Sequence, residues 1–310
     1  TPTPRRPSDV LARLHAAPET SPTISFELYP PRTPAGHESL WRTIEHLTGA
    51  APDFFSVTYG ASGSSRETSR AVVRHIAATT DVPVVAHLTC IGAPRHEVRA
   101  VAEAFIEDGV RTFLALRGDP PAGVTDWEPH PQGLQRGSDL VALLRDVEAE
   151  HDAGPLSIAV AANPGALRES PADELCGDLQ ALVAKQEAGA DFAITQVFFE
   201  VDAYVAYLDA ARAAGVTIPL LPGIVPLNDP ARLRRLQEVS GVAVPAWILQ
   251  RLDAEDEQSR WEVGAELGAQ LVSDVLAAGA PGLHLYTFNQ HRATLELLAA
   301  ALPGHGTLVR

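Results

Sequence analysis

The side chains best suited to chemistry in this 310-residue chain stand at the ends of short apolar runs. Glu27 follows Ile24-Ser25-Phe26, Thr58 follows Phe54-Phe55-Ser56-Val57, and His87 follows Val82-Pro83-Val84-Val85-Ala86. Arg117-Gly118-Asp119 comes after Thr112-Phe113-Leu114-Ala115-Leu116, Asn163 after Ile158-Ala159-Val160-Ala161, and Gln196 after Phe192-Ala193-Ile194-Thr195. A Pro222-Gly223-Ile224 turn is expected beyond Ile218-Pro219-Leu220-Leu221, and Asn289 lies beyond Leu283-His284-Leu285-Tyr286. A carboxyl group among apolar neighbours has its charged form disfavoured, so Glu27 is expected to have a raised pKa and to donate a proton near neutral pH. Taken singly, it is equally compatible with a solvated or ion-paired strand end. Arg117 can grip a phosphate or a carbonyl, Gly118 lets a ligand approach the backbone, and Asp119 can accept from ring N–H groups. A turn closed by an internal Arg–Asp pair accounts for the same three residues. His87 reads either as a ligand or as a core histidine bonded to backbone.

Regular elements must bring these residues together. Between the runs lie stretches of helical period, clearest from Pro94 to Asp108, where Val98, Val101, Ala102, Phe105 and Ile106 form one stripe. The same period marks Ala172 to Ala188, with further helices near His37 to Leu47, Glu67 to Ala78 and Ser138 to Glu150. Strand and helix alternating over eight units predict an α/β fold, a single (β/α)8 TIM barrel, with the chemical residues at one rim. The long interval Asp229 to Ala278 predicts extra helices between the seventh and eighth strands, around Pro245-Ala246-Trp247. Residues 1–22 are Pro-rich and are expected to be a loosely held extension with a short helix from Ser8 to Ala16, leaving 23–310 as the catalytic barrel.

A net charge of −15 argues against nucleic acid or an anionic membrane as partner. Two cysteines, Cys90 and Cys176, argue against a disulfide framework and for a reducing cytoplasm. No apolar segment reaches the roughly 20 residues that span a bilayer. Neither HExxH nor paired CxxC is present, so no metal site is expected, and no GxGxxG or phosphate loop follows a strand. The chain lacks methionine and stops at Arg310; processing of its start and no inhibition through an appended domain are the expectations.

Taken in order, Phe26-Glu27 with Pro30-Pro31-Arg32, Ser56-Val57-Thr58-Tyr59-Gly60-Ala61, His87-Leu88-Thr89-Cys90 and Leu116-Arg117-Gly118-Asp119 resemble the methylenetetrahydrofolate reductase family. So do Ala188-Gly189-Ala190 with Ile194-Thr195-Gln196, Pro222-Gly223-Ile224, Pro245-Ala246-Trp247 and Tyr286-Thr287-Phe288-Asn289, so that the likeness runs from about residue 23 to 300. It implies that NADH or NADPH reduces bound FAD, which then passes hydride to 5,10-methylenetetrahydrofolate, yielding 5-methyltetrahydrofolate, in one-carbon metabolism and methionine biosynthesis. By the same resemblance Glu27, Asp119 and Gln196 are catalytic. Glu27, Thr58, Asp119, Gln196 and Gln290 bind substrate, and Thr58, Tyr59, Ala61, His87, Arg117, Gly118, Asp119, Gly137, Asn163, Asp178 and Lys185 bind flavin. The partners implied are the folate, the nicotinamide nucleotide and further copies of the chain in a homo-oligomer.

The chain departs from the family pattern at several positions. Asn163-Pro164-Gly165-Ala166-Leu167-Arg168 stands where the family has an aromatic residue, Pro and a later His. Pro230 replaces a stacking aromatic, and Gln290 replaces an Arg that Arg292 is close enough to supply. One lost charge-assisted contact costs about 1.5–3 kcal/mol, enough to weaken FAD or folate ten- to a hundredfold, roughly. Three alternatives follow: a member that transfers hydride from nicotinamide to folate without tightly bound flavin, a non-catalytic folate- or flavin-binding relative, and an unrelated barrel lyase with Lys185 as Schiff base.

Overall fold

Parallel strands buried on both faces read as unbroken apolar runs, and here the runs close on themselves. The computed structural model describes residues 7–15, 22–31, 33–59, 63–119, 128, 130–151, 154–169 and 177–303. Strands β1 (Thr23–Leu28), β2 (Phe54–Val57), β3 (Val84–Thr89), β4 (Thr112–Leu116), β5 (Ser157–Ala162), β6 (Phe192–Val197), β7 (Leu220–Ile224) and β8 (Gly282–Tyr286) form a closed barrel in sequence order. Every neighbouring pair is parallel, and β8 returns to β1 with Ser25 opposite His284 and Glu27 opposite Tyr286. Helices α2 (Pro34–Thr48), α3 (Gly63–Thr79), α4 (Arg95–Glu107), α5 (Gly137–Glu150), α6 (Gly177–Glu187) and α7 (Val201–Ala213) cross between the first seven strands. A short 3-10 turn, Pro164–Glu169, precedes α6, and α11 (His291–Ala301) closes the chain against α2.

The long interval after β7 holds three helices, α8 (Pro230–Ser240), α9 (Ala246–Asp253) and α10 (Glu257–Ala277). Leu233, Val244, Ile248 and Leu252 bury against Val197, Phe199, Val225 and Leu227 in a satellite core, so the insertion packs on the strand ends of β6 and β7. Asp229 starts α8 by accepting the Arg232 backbone N–H, and Gly241 ends it in a left-handed conformation, φ 73°. Such a residue is commonly glycine because a Cβ there is penalised.

Two expectations need correction. The turn read at Pro222-Gly223-Ile224 is the interior of β7. Gly223 is required there because a Cβ would lie 2.3 Å from the Thr195 carbonyl oxygen and 2.6 Å from the Tyr286 ring. The N-terminal segment is not loosely held where it is described. Helix α1 (Pro7–Leu14) packs against β1 and β5, strands on opposite sides of the barrel, and so crosses its N-terminal opening. Val10 and Leu14 join Phe54, Val85, Leu114, Ala159, Phe192, Ile194 and Leu221 in an interior apolar layer, while Arg13 pairs with the buried Asp53. Polar spacing and proline content leave little sign of the stripe formed by Val10 and Leu14.

Candidate active site

In a strand, residues two apart share a face, so Ser25 and Glu27 of β1 point into the barrel, as do Ser56 of β2, His87 of β3, Gln196 of β6, and His284 and Tyr286 of β8. Above the apolar layer these side chains form a polar one. The His284 ring is fully buried, with Nδ1 2.8 Å from Ser25 Oγ and Nε2 3.4 Å from Ser56 Oγ. Glu27 Oε2 lies 3.7 Å from Nε2 of both His87 and His284, beyond hydrogen-bond reach. Burial outweighs the attraction of Glu27 and pushes His87 down from 6.5 to about 4, with His284 opposing its charge as well. His87 is therefore neutral at pH 7, the contact with Glu27 is not an ion pair, and His87 Nε2 is buried without a hydrogen-bond partner. Tyr286 donates to the Thr195 carbonyl (2.9 Å), and burial, then Glu27, raise its pKa well above 10.

Over this layer opens a cavity of about 590 Å3, within the range of small-molecule sites. Glu27, Thr58, Tyr59, His87, Gly118, Asp119 and Gln196, drawn from five strands or their ends, all line it. Ile91, Leu114 and Leu116 supply apolar wall, and Tyr29 and Phe288 stand at its β1–β8 side. Val197 and Ser240 line both this cavity and an adjoining one of about 420 Å3 that reaches Asn163. The β8 corner is held in an unusual conformation, since Phe288 (φ 51°) and Asn289 (φ 55°) are both left-handed. Asn289 compensates by accepting from the Tyr29 N–H (3.1 Å) and donating to the Tyr29 carbonyl (2.8 Å), while the Tyr29 hydroxyl donates to the Phe288 carbonyl (2.9 Å).

A second group gathers at the ends of β4 and β5. Asp178 accepts from the Asn163 N–H (3.0 Å) and from the Tyr207 hydroxyl. Lys185 donates to the Ala161 carbonyl (2.8 Å), and its Cε lies 3.3 Å from where a Gly137 Cβ would be. Burial lowers the Lys185 pKa, countered by Asp178 and reinforced by Arg117. Arg117, Gly137, Asn163, Asp178 and Lys185 thus form one neighbourhood although they span 69 positions of sequence between Arg117 and Lys185. Ala61 lies outside the described residues.

The remaining expectations shift in detail. Glu27, His87 and Gln196 are within their strands rather than beyond them. Arg292 does not substitute at position 290, because it pairs with Glu296 (2.9 Å) and stacks on Trp261, 4.6 Å from the ring centre. Gln290 is exposed and bonded to Arg232. Leu167 packs on the barrel core, and Asn163 Oδ1 accepts from the Gly165 N–H (3.2 Å). Ser25, Ser56, His284 and Tyr286 are not among the site residues read from the sequence; the signal that finds them is two-residue spacing, of Ser25 from Glu27, of Ser56 from Thr58, and of His284 from Tyr286.

The chain matches the methylenetetrahydrofolate reductase family over residues 12–301. It belongs to that family. It is 35% identical over 269 residues to the 5,10-methylenetetrahydrofolate reductase of Escherichia coli, a match covering 86% of each chain. Methylenetetrahydrofolate reductase 1 of Schizosaccharomyces pombe is 35% identical over 92% of this chain, which spans 47% of the yeast protein's length. Among solved structures, a Clostridium thermocellum protein that binds two copies of 5-methyl-5,6,7,8-tetrahydrofolic acid superposes with a TM-score of 0.63 at 15% identity, covering 95% of this chain and 97% of its own. That likeness is one of fold. The protein is therefore an oxidoreductase of the methylenetetrahydrofolate reductase family, whose reaction reduces the methylene group of the folate to methyl. Lys185 as a Schiff base has no place in that chemistry, and its amine is bonded to a backbone carbonyl. Among the described residues, no helix is long and apolar enough to cross a membrane, and no group of three or more His, Cys, Asp or Glu could hold a metal ion.

Proposed function

We propose that this chain reduces 5,10-methylenetetrahydrofolate with electrons from NADH or NADPH carried by bound FAD, and that Glu27 is the general acid. The observation that supports this most is that Glu27, Asp119 and Gln196 face one cavity although they lie in three separate stretches of sequence. The residues present fit a flavin. His87 Nε2 is a buried polar atom without a partner at the cavity wall, and Gly118, left-handed at φ 87°, lines the same cavity. Arg117 and Lys185 bring positive charge to the Gly137 helix start, where a diphosphate is favoured. When bound, the flavin supplies the hydride carrier.

The protein's part is proton transfer, position and dryness. Opening the five-membered ring of the substrate requires a proton on the departing nitrogen, and Glu27 delivers it. Its side chain is 18% exposed and is flanked by two imidazoles without a hydrogen bond to either, so the carboxyl is neither clamped nor freely solvated. Asp119 and Gln196 accept from and donate to the polar edges of the ring systems, and Tyr286, fixed as a donor to Thr195, keeps the wall rigid. Few cysteines and a buried Cys90 support a reducing cytoplasm as its compartment.

Anaerobic half-reactions test this reading. NADH or NADPH is expected to bleach the flavin absorbance, and methylenetetrahydrofolate to restore it. Glu27→Gln should slow only the second step, by about 10²–10⁴-fold. Equal rates in the variant would remove Glu27 from the role. Leu167 and the self-bonded Asn163 favour one second reading, hydride passing directly from nicotinamide to folate. Protein purified without visible flavin yet active without added flavin would establish it.

A further inference from the structure

At the mouth of the cavity, on the β8 side and so across the barrel from Arg117, stands Arg232 in the first turn of α8. It shares a helix face with Leu236 and Ser240, four and eight residues on, and both line the cavity. Its guanidinium lies over the Phe288 ring, 5.3 Å from the centre, and Phe288 also lines the cavity. Nη1 donates to Gln290 Oε1 (3.0 Å) and Nη2 lies 3.3 Å from Asp229 Oδ2. The Arg232 charge reaches the Tyr29 phenol, where it opposes the rise that burial causes. Two partners and an aromatic face thus hold a planar fork in one orientation at the entrance, with N–H donors beyond those two contacts. A chain of net charge −15 with Glu27 and Asp119 in the cavity otherwise repels an anion there.

We propose that Arg232, oriented by Gln290, Asp229 and Phe288, is the anion-holding residue of the cavity mouth and grips the glutamate carboxylate of the folate. The proposal rests on the folate reading above. Carboxylate recognition by a guanidinium is bidentate and directional, so this contact fixes the distance between the tail and the reacting ring rather than merely adding charge. The phosphates of the nicotinamide nucleotide share that chemistry, and the test separates the two sources.

The test measures binding of 5-methyltetrahydrofolate and of its pteroate counterpart lacking glutamate, with KM for the nucleotide alongside. Wild type is expected to prefer the glutamate-bearing ligand, and Arg232→Gln to weaken that ligand about ten- to a hundredfold while leaving the pteroate and the nucleotide unchanged. Arg292→Gln, which removes the same charge from a residue turned towards Glu296, should change neither. The exchange Arg232→Gln with Gln290→Arg moves the cation across a 3.0 Å contact and should recover part of the loss, which a merely structural role would not allow. Equal binding of the two ligands by wild type, or a loss confined to the nucleotide, would overturn the proposal with the folate reading intact. Failure of wild type to bind either ligand would instead remove the reading beneath it.

Discussion

Replacing His87 with glutamine should flatten the acid limb of this protein's stability. In the folded chain the imidazole is pushed from 6.5 to about 4, because burial penalises its cation more than Glu27 favours it. Between those two values the unfolded chain binds a proton that the folded chain refuses, so stability rises with pH through this window and falls as the solution is acidified. The gap between 6.5 and about 4, at about 1.4 kcal/mol per pH unit, amounts to about 3 kcal/mol. The loss begins below about 6.5, is complete near 4, and adds to whatever the carboxylates contribute, which both proteins share. Urea unfolding of wild type and His87→Gln at a fixed protein concentration, stepped from about pH 7 to about pH 4, isolates it as a difference of slopes. The wild-type curve should drop more steeply by that amount. Parallel curves would show that the folded ring takes up its proton at the same pH as the unfolded one, so that below about 6.5 a charged His87 faces Glu27 and the burial penalty argued above is wrong.

Three further outcomes follow from the packing. Gly223→Ala should destabilise by about 1–3 kcal/mol or more in urea titration, because its Cβ meets backbone at 2.3 Å rather than a movable side chain. Leu14→Ala should cost about 2–5 kcal/mol despite lying in the N-terminal segment, since it seals the barrel interior; a change below the resolution of thermal unfolding would return α1 to a loose extension. In a Cys176→Ser background, a thiol reagent should leave Cys90 unmodified until the chain unfolds, because burial, then Asp139, pushes the thiol up to about 11.

Much of the fold was legible because its signals are local. Unbroken apolar strands, helices with a single stripe, and their eightfold alternation leave a parallel barrel as the architecture, and the extra helices after β7 follow from chain length alone. The rim residues were legible for a related reason, since polar groups at the C-terminal ends of such strands converge wherever the barrel closes. Boundaries were not. The strands run on through Glu27, His87 and Gln196, and β7 absorbs a Pro-Gly pair, because tertiary pairing in a sheet overrides local turn preference when a neighbour's backbone leaves room only for glycine.

Residue type and order by themselves determined the fold class and the family, and singled out Glu27, Asp119 and Gln196, which line the cavity. Only closure of the barrel decided what surrounds them. It sets His284 beside Ser25 across the β1–β8 seam, turns Arg292 outward onto Trp261, and brings Arg232 to Gln290 from 58 residues away. The physical reason is that strand period dictates the face of a residue, whereas its distance from a residue on another strand depends on register and on which helices fill the gap between strand ends.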